Sequence, residues 1–205
     1  MIKSHFLYFM DVVGIISFTL SGFFAGVRKK LDLLGIFLSS FVTALGGGIV
    51  RDVIVGKKPY SLIDPIPSLI VTVVVLILIV FKIYSKYEKV QQHNFFVIGD
   101  SIGLCAFSIS GALIGIEAGF SVYGVVILSI ITAVGGGIIR DTMVNEIPFI
   151  MTQDFYASIS IIISVLLIIS SKFYTLNLLV VFTIFLTGLF LRLLAYKKGW
   201  KLPSF

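Results

Sequence analysis

Charge is scarce in this chain: Asp, Glu, Lys and Arg make up 13% of its 205 residues, against roughly 25% in an ordinary soluble domain. A water-soluble globular fold is thereby excluded. Cysteine is nearly absent, and with Cys105 alone neither an intrachain disulfide framework nor a thiolate metal site can form. Histidine is equally thin. His5 and His93 fall in terminal and loop positions with no second ligand at metal spacing, so they read as solvated surface and no metal site is expected. No Ser/His/Asp arrangement points to catalysis. Gly135-Gly136-Gly137 lacks both the Gly-Lys-Ser/Thr ending and the preceding strand of a phosphate loop. Neither an enzyme nor a nucleotide-binding protein is expected. The formal charge of +6 does not indicate nucleic acid, because the basic residues lie between apolar blocks rather than on one face.

What the chain has in abundance is long apolar blocks. Hydrophobic residues make up 58% of the sequence and mean hydropathy is +1.12, and several blocks reach the ~18 residues of a membrane span. Segments near 6–27, 33–50, 65–81, 95–116, 122–139, 155–171 and 176–191 are separated by short turn-rich breaks such as Lys57-Lys58-Pro59 and Asn145-Glu146-Ile147-Pro148. Seven spans and no separate soluble domain are expected. The first block resembles a cleavable signal only superficially: it is longer than a usual signal core, carries Asp11 and recurs later, so it is expected to stay in the mature protein.

The recurrence is regular. At an offset of 89 residues, Asp11 falls on Asp100, Phe18 on Phe107, Ser21-Gly22 on Ser110-Gly111 and Gly26 on Gly115. Farther along, Thr43-Ala44 falls on Thr132-Ala133, Gly46-Gly47-Gly48 on Gly135-Gly136-Gly137, and Arg51-Asp52 on Arg140-Asp141. Two copies of one unit are expected, within a single transmembrane domain over residues 1–205: repeat one at about 6–84, repeat two at about 95–174, and a seventh helix at about 176–195. Three spans per copy force the copies into opposite orientations, an inverted repeat. The fold class is therefore an all-α membrane protein of seven transmembrane helices, an inverted 3+3 repeat plus one C-terminal helix. Lys and Arg crowd one side at Arg28, Lys29, Lys30, Lys82, Lys86, Lys89, Arg140, Arg192, Lys197, Lys198 and Lys201. Lys3, Arg51, Lys57, Lys58 and Lys172 fall on the other. By the positive-inside rule the N-terminus is expected outside and the C-terminus in the cytoplasm.

Three consecutive glycines in an apolar span cost helix stability, about 1 kcal/mol each relative to Ala. The favoured reading is a kinked or broken helix whose freed backbone lines a cavity; close helix packing is the alternative. Close packing is instead assigned to Gly22-x-x-x-Gly26 and Gly111-x-x-x-Gly115. Asp11, Asp100, Arg51, Asp52, Arg140 and Asp141 are the ionisable groups within or bordering the spans, and such groups are functional candidates. Neighbours on a helix point apart, so Arg51 and Asp52 are not expected to pair. The expected pairs are Asp11 with Arg51 and Asp100 with Arg140, serving to line a pathway, to hold helices in register, or both.

The duplicated GGGxxRD motif, Gly46 to Asp52 and Gly135 to Asp141, resembles that of prokaryotic members of the trimeric intracellular cation (TRIC) channel family over essentially the whole chain. The resemblance implies a homotrimer in a prokaryotic cell membrane, with a pore in each protomer, potassium and other monovalent cations as permeant species, and glycine-kinked second and fifth spans lining the pore. Thr43 and Thr132 join the pore candidates. Beyond permeant cations and bound lipid no cofactor is expected, and the expected partners are other copies of the chain and membrane lipids. Related bacterial proteins with this motif include small amino-acid transporters, so a glycine-like carrier is the alternative, with an Arg for the carboxylate and an Asp for the ammonium group.

Overall fold

The computed structural model describes residues 2–83, 92–152, 155–173 and 176–200. Lys86, Lys89 and Lys201, used above for orientation, lie outside them, as do the side chains of Lys3, His5 and His93. Nine helices and no strand occur among the described residues: α1 Ile2–Arg28, α2 Leu33–Ile54, α3 Tyr60–Ile63, α4 Pro65–Val80, α5 Gln92–Glu117, α6 Val122–Met143, α7 Phe149–Thr152, α8 Tyr156–Phe173 and α9 Leu178–Lys198. Six of them, α1, α2, α5, α6, α8 and α9, are long and apolar enough to cross a membrane. The expected third span corresponds to α4, an apolar helix of 16 residues.

Local chemistry sets the helix ends. Asp32 caps α2 by accepting from Gly35 N at 2.7 Å, and its counterpart Ser121 caps α6 by accepting from Gly124 N at 3.2 Å, each satisfying an otherwise orphaned amide. Asp64 caps α4 by accepting from Ile66 N at 2.8 Å, and Pro65 suits the first helical position because its missing donor is not needed there. Gly199, at φ 59°, ends α9 in the left-handed conformation.

At the centre, α1 packs on α2 and α5, α5 on α6, and α2 on α6, while α4 covers α1 and α2 and α8 covers α5 and α6. The ninth helix lies against α5 and α8. The largest share of buried residues belongs to α5 and the smallest to α9. Leucine, isoleucine, valine and phenylalanine on the outer helices, among them Leu69, Leu76, Val80, Leu179, Leu186 and Phe190, are exposed, the pattern of a surface solvated by lipid rather than water.

Both glycine triplets correct an expectation. The second and sixth helices run without interruption through Gly46-Gly47-Gly48 and Gly135-Gly136-Gly137, so no freed backbone arises there. They also continue two residues past Arg51-Asp52 and Arg140-Asp141, which therefore lie in the last turn of each helix rather than beyond its end.

Candidate functional site: two buried arginine networks

One arginine lies at the centre of each network. Arg51 donates from Nη1 to Asp11 Oδ1 at 3.0 Å and to Ser110 Oγ at 2.6 Å, and from Nε to Asp52 Oδ1 at 2.8 Å. Ser110 in turn donates to Asp11 Oδ1 at 2.6 Å. Asp52 uses its other oxygen to accept from Tyr60 N at 2.8 Å, which fixes the start of α3. The Arg140 network has the same plan. Nη1 reaches Asp100 Oδ1 at 3.2 Å and Ser21 Oγ at 2.7 Å, Nε reaches Asp141 Oδ1 at 2.8 Å, and Asp141 Oδ2 accepts from Phe149 N at 2.8 Å. Every one of these residues is displaced from its counterpart by the same 89 positions.

The Asp11–Arg51 and Asp100–Arg140 pairs form as expected. The Arg51–Asp52 and Arg140–Asp141 contacts do not follow from the sequence reading, which placed neighbouring side chains apart. Aspartate is short enough to stay beside the helix, while the longer arginine bends back so that only its Nε meets that neighbour and its tip reaches across to α1 or α5. Each guanidinium is thus held by two carboxylates, and a buried charge persists only with such pairing and added hydrogen bonds.

Each network also crosses between the repeats, since Ser110 belongs to α5 while Asp11, Arg51 and Asp52 belong to α1 and α2. The repeat pairs Ser21 with Ser110. What marks them is the register: they immediately precede Gly22 and Gly111, so the packing stripe that brings the helices together also carries the hydroxyl to the guanidinium.

The glycines sort by what a side chain would meet. A Cβ at Gly22 would lie 2.6 Å from Ser39 O, and one at Gly111 would lie 2.9 Å from Leu128 O, so these glycines allow α1 to lie on α2 and α5 on α6. Gly26 and Gly115 face Ile36 and Val125 at 3.1 and 3.2 Å. Gly47 and Gly136 belong to the same class: a Cβ at Gly47 would overlap the carbonyl oxygen of Thr132, and one at Gly136 that of Thr43. The α2–α6 crossing therefore depends on the central glycine of each triplet, which had been assigned to an open wall. Gly46 and Gly135 flank this crossing, Gly135 having Gly47 Cα at 3.4 Å. Gly48 and Gly137 have only the Nη2 atoms of Arg51 and Arg140 nearby, at 3.8 and 3.6 Å. Thr43 and Thr132 are buried, and their hydroxyls donate one turn back to Ser39 O and Leu128 O, at 2.5 and 2.6 Å.

The networks differ in their surroundings. A cavity of about 270 Å³ opens beside the first, lined by Tyr8, Asp11, Arg51, Asp52, Lys57 and Tyr60 among others. The hydroxyl of Tyr60 donates to Asp64 Oδ2 at 3.0 Å, and burial together with that acceptor raises its pKa to about 12. The second network is sealed. Tyr156 donates to Asp100 Oδ2 at 2.6 Å, Phe96 lies 4.9 Å from the Arg140 guanidinium, and the space around Arg140 and Asp141 has no room for a water molecule. Behind Tyr156 stands Arg192 of α9, 4.8 Å from that ring and buried, with Nε and Nη2 unpaired among the described residues. Sequence reasoning missed Tyr156, Phe96 and Arg192 because their repeat counterparts are Pro67, Leu7 and none.

A family model described as "Glycine transporter" matches residues 8–84 and again 97–172. The UPF0126 inner membrane protein YadS of Escherichia coli strain K12 is 30% identical over 203 residues, 97% of this chain and 96% of that one. A UPF0126 membrane protein of Deinococcus radiodurans is 36% identical over 145 residues, and the chain spans 66% of its length. A solved TRIC cation channel is 37% identical, with a TM-score of 0.83 and 96% of each chain covered. The chain belongs to the membrane-protein family of the glycine-transporter model and the UPF0126 proteins, and is a prokaryotic relative of the TRIC channels with their fold.

Proposed function

We propose that the protein is a cation channel, permeable to potassium and other monovalent cations, in which the two arginine networks flank the permeation path. The observation that carries this is the Asp11–Arg51–Asp52 cluster, which holds two acids for one base inside an apolar bundle and opens onto a cavity. The cluster's formal charge of one negative is buried and little screened, so it favours a cation at depth, while Lys57 and Lys58 of the same lining are exposed and screened by solvent at the mouth. Likeness to a solved TRIC cation channel supports the assignment. The full proposal has α4 as a seventh span, the two copies inverted within one domain, the N-terminus outside a prokaryotic cell membrane, and three copies assembled with one path in each. The twofold match of the family model supports the repeat. Purified protein in a planar bilayer under asymmetric KCl should give unitary currents reversing toward the potassium potential, and crosslinking in mild detergent should stop at a trimer. An absence of current, or reversal at the chloride potential, excludes the channel.

A second reading, a carrier of small amino acids, is favoured by the description of the family model and by one geometric fact. Nη2 of Arg51 faces the bare third glycine of its triplet across a small space beside Asp11 and Asp52, which leaves that guanidinium edge without a carboxylate of its own. Saturable uptake of labelled glycine by vesicles without unitary current would select it.

A further inference from the structure

The two ends of the α1–α2–α5–α6 bundle use the same repeat positions in different states. At the second end, Ala25, Phe96 and Val97 are buried in one cluster with Phe149 packed on it, and the Phe96 and Phe149 rings meet edge to face at 5.7 Å. Their repeat counterparts are Ile114, Leu7, Tyr8 and Tyr60. All four line the cavity at the first end. What is a plug at one end is an opening at the other.

Over the plug, Glu146 bridges Arg28 and, at 3.0 Å, Lys29. That ties the last turn of α1 to the loop after α6. The counterpart of Glu146 is Lys57 and that of Arg28 is Glu117, so the same two positions carry an attractive pair with the charges exchanged. The loops have the same backbone form. Lys57 N donates to Asp52 O at 2.9 Å and Glu146 N to Asp141 O at 2.8 Å, each preceded by a left-handed residue, Gly56 or Asn145. Yet Lys57 and Glu117 are both exposed and form no ion pair among the described residues. Lys57 and Ile114 both line the cavity, and Glu117 follows Ile114 by three residues on the same helix.

We propose that Lys57 and Glu117 form a latch, open in this structure, that closes the first mouth over the Asp11–Arg51–Asp52 network in a second conformation, as Glu146 with Arg28 and Lys29 closes the second mouth here. Repeated halves of opposite orientation can exchange their packings, so the conformation of each becomes accessible to the other. Exposed ion pairs are individually weak, which suits a contact that must break in each cycle. The proposal concerns which mouth is open and holds for a gated channel and a carrier alike.

Two measurements on full-length protein in native membranes test it without a transport assay. In a Cys105→Ala background, the Lys57→Cys/Glu117→Cys pair should form a disulfide within one chain under mild oxidation, as should the Arg28→Cys/Glu146→Cys pair. Crosslinking of the second pair alone, or of the first only between chains, overturns the latch. Separately, Tyr8→Cys reports the first mouth through its reaction with a membrane-impermeant maleimide. Adding Glu146→Gln should slow that reaction at least twofold by releasing the second mouth, and adding Lys57→Gln should restore the rate. An unchanged rate with Glu146→Gln, in protein that elutes normally on size exclusion, overturns it equally. If that variant does not fold, the disulfide pairs decide.

Discussion

A methyl group added at Gly47 would collide with the Thr132 carbonyl oxygen, whereas one added at Gly48 would meet only Arg51 Nη2, at 3.8 Å. Backbone cannot yield cheaply, and overpacking of this kind costs about 1–3 kcal/mol. Gly47→Ala should therefore lower the melting temperature and weaken the folded peak on size exclusion, while Gly48→Ala leaves both close to wild type. Equal tolerance at the two positions would contradict the crossing described here. Ser110 offers a second residue-scale test, because its hydroxyl serves Arg51 and Asp11 at once. Ser110→Ala leaves both charges short of a partner, at a cost of about 1–3 kcal/mol. In a double-mutant cycle with Asp11→Asn the effects should be non-additive, as they are for residues sharing one network. These residue roles were only partly legible beforehand. The charges of the repeated motif are visible as outliers in an apolar chain, and their pairing across α1 and α2 follows from membrane depth. Which glycine of three touches a neighbour depends on the rotation of one helix about its axis. No one-dimensional pattern specifies that angle.

Among the helices, α9 stands apart because it has no repeat partner, yet it carries Arg192 to the back of Tyr156. Two nitrogens of this buried guanidinium are unpaired among the described residues, and its aromatic contacts with Phe149 and Tyr156 offset only part of the desolvation cost. Replacing an unpaired buried charge with an apolar side chain of similar length is neutral or stabilising. Arg192→Met should thus keep or raise the melting temperature, whereas Arg140→Met, which strands Asp100 and Asp141, should lower it sharply. A matching loss in both would show that Arg192 is held by a partner. Helix existence and extent were largely readable, since the apolar blocks match α1, α2, α4, α5, α6, α8 and α9 within a few residues at most ends. The exception is informative: α2 and α6 extend through Arg51-Asp52 and Arg140-Asp141, because charges neutralised within the bundle need not end a helix at the membrane surface.

For the whole molecule, orientation rests on the distribution of basic residues, and one experiment settles it. Lys58→Cys, exposed in the loop before α3, should react with an impermeant thiol reagent from outside intact cells, and Lys197→Cys near the end of α9 only after the cells are opened. The reverse result would invert the assignment. Assembly, by contrast, has no signature in single residues of this sequence. Exposed positions on the outer helices are largely Leu, Ile, Val and Phe, which suit contact with lipid and with another protomer alike, so family likeness carries more weight than pattern at this scale.

One dimension of the fold bears on the bilayer itself. At 1.5 Å per residue the 16 residues of α4 extend about 24 Å, short of the ~30 Å hydrocarbon core of an ordinary membrane. Its neighbours α1 and α2 are long enough to cross, so if α4 is the proposed seventh span, the lipids beside it thin to match it while those beside longer helices need not. The protein should therefore carry an asymmetric collar of thinned lipid, and its activity should respond to acyl-chain length. Reconstituted in a series of phosphatidylcholines, it should work best in short-chain bilayers and lose activity as the chains lengthen and the mismatch at α4 grows.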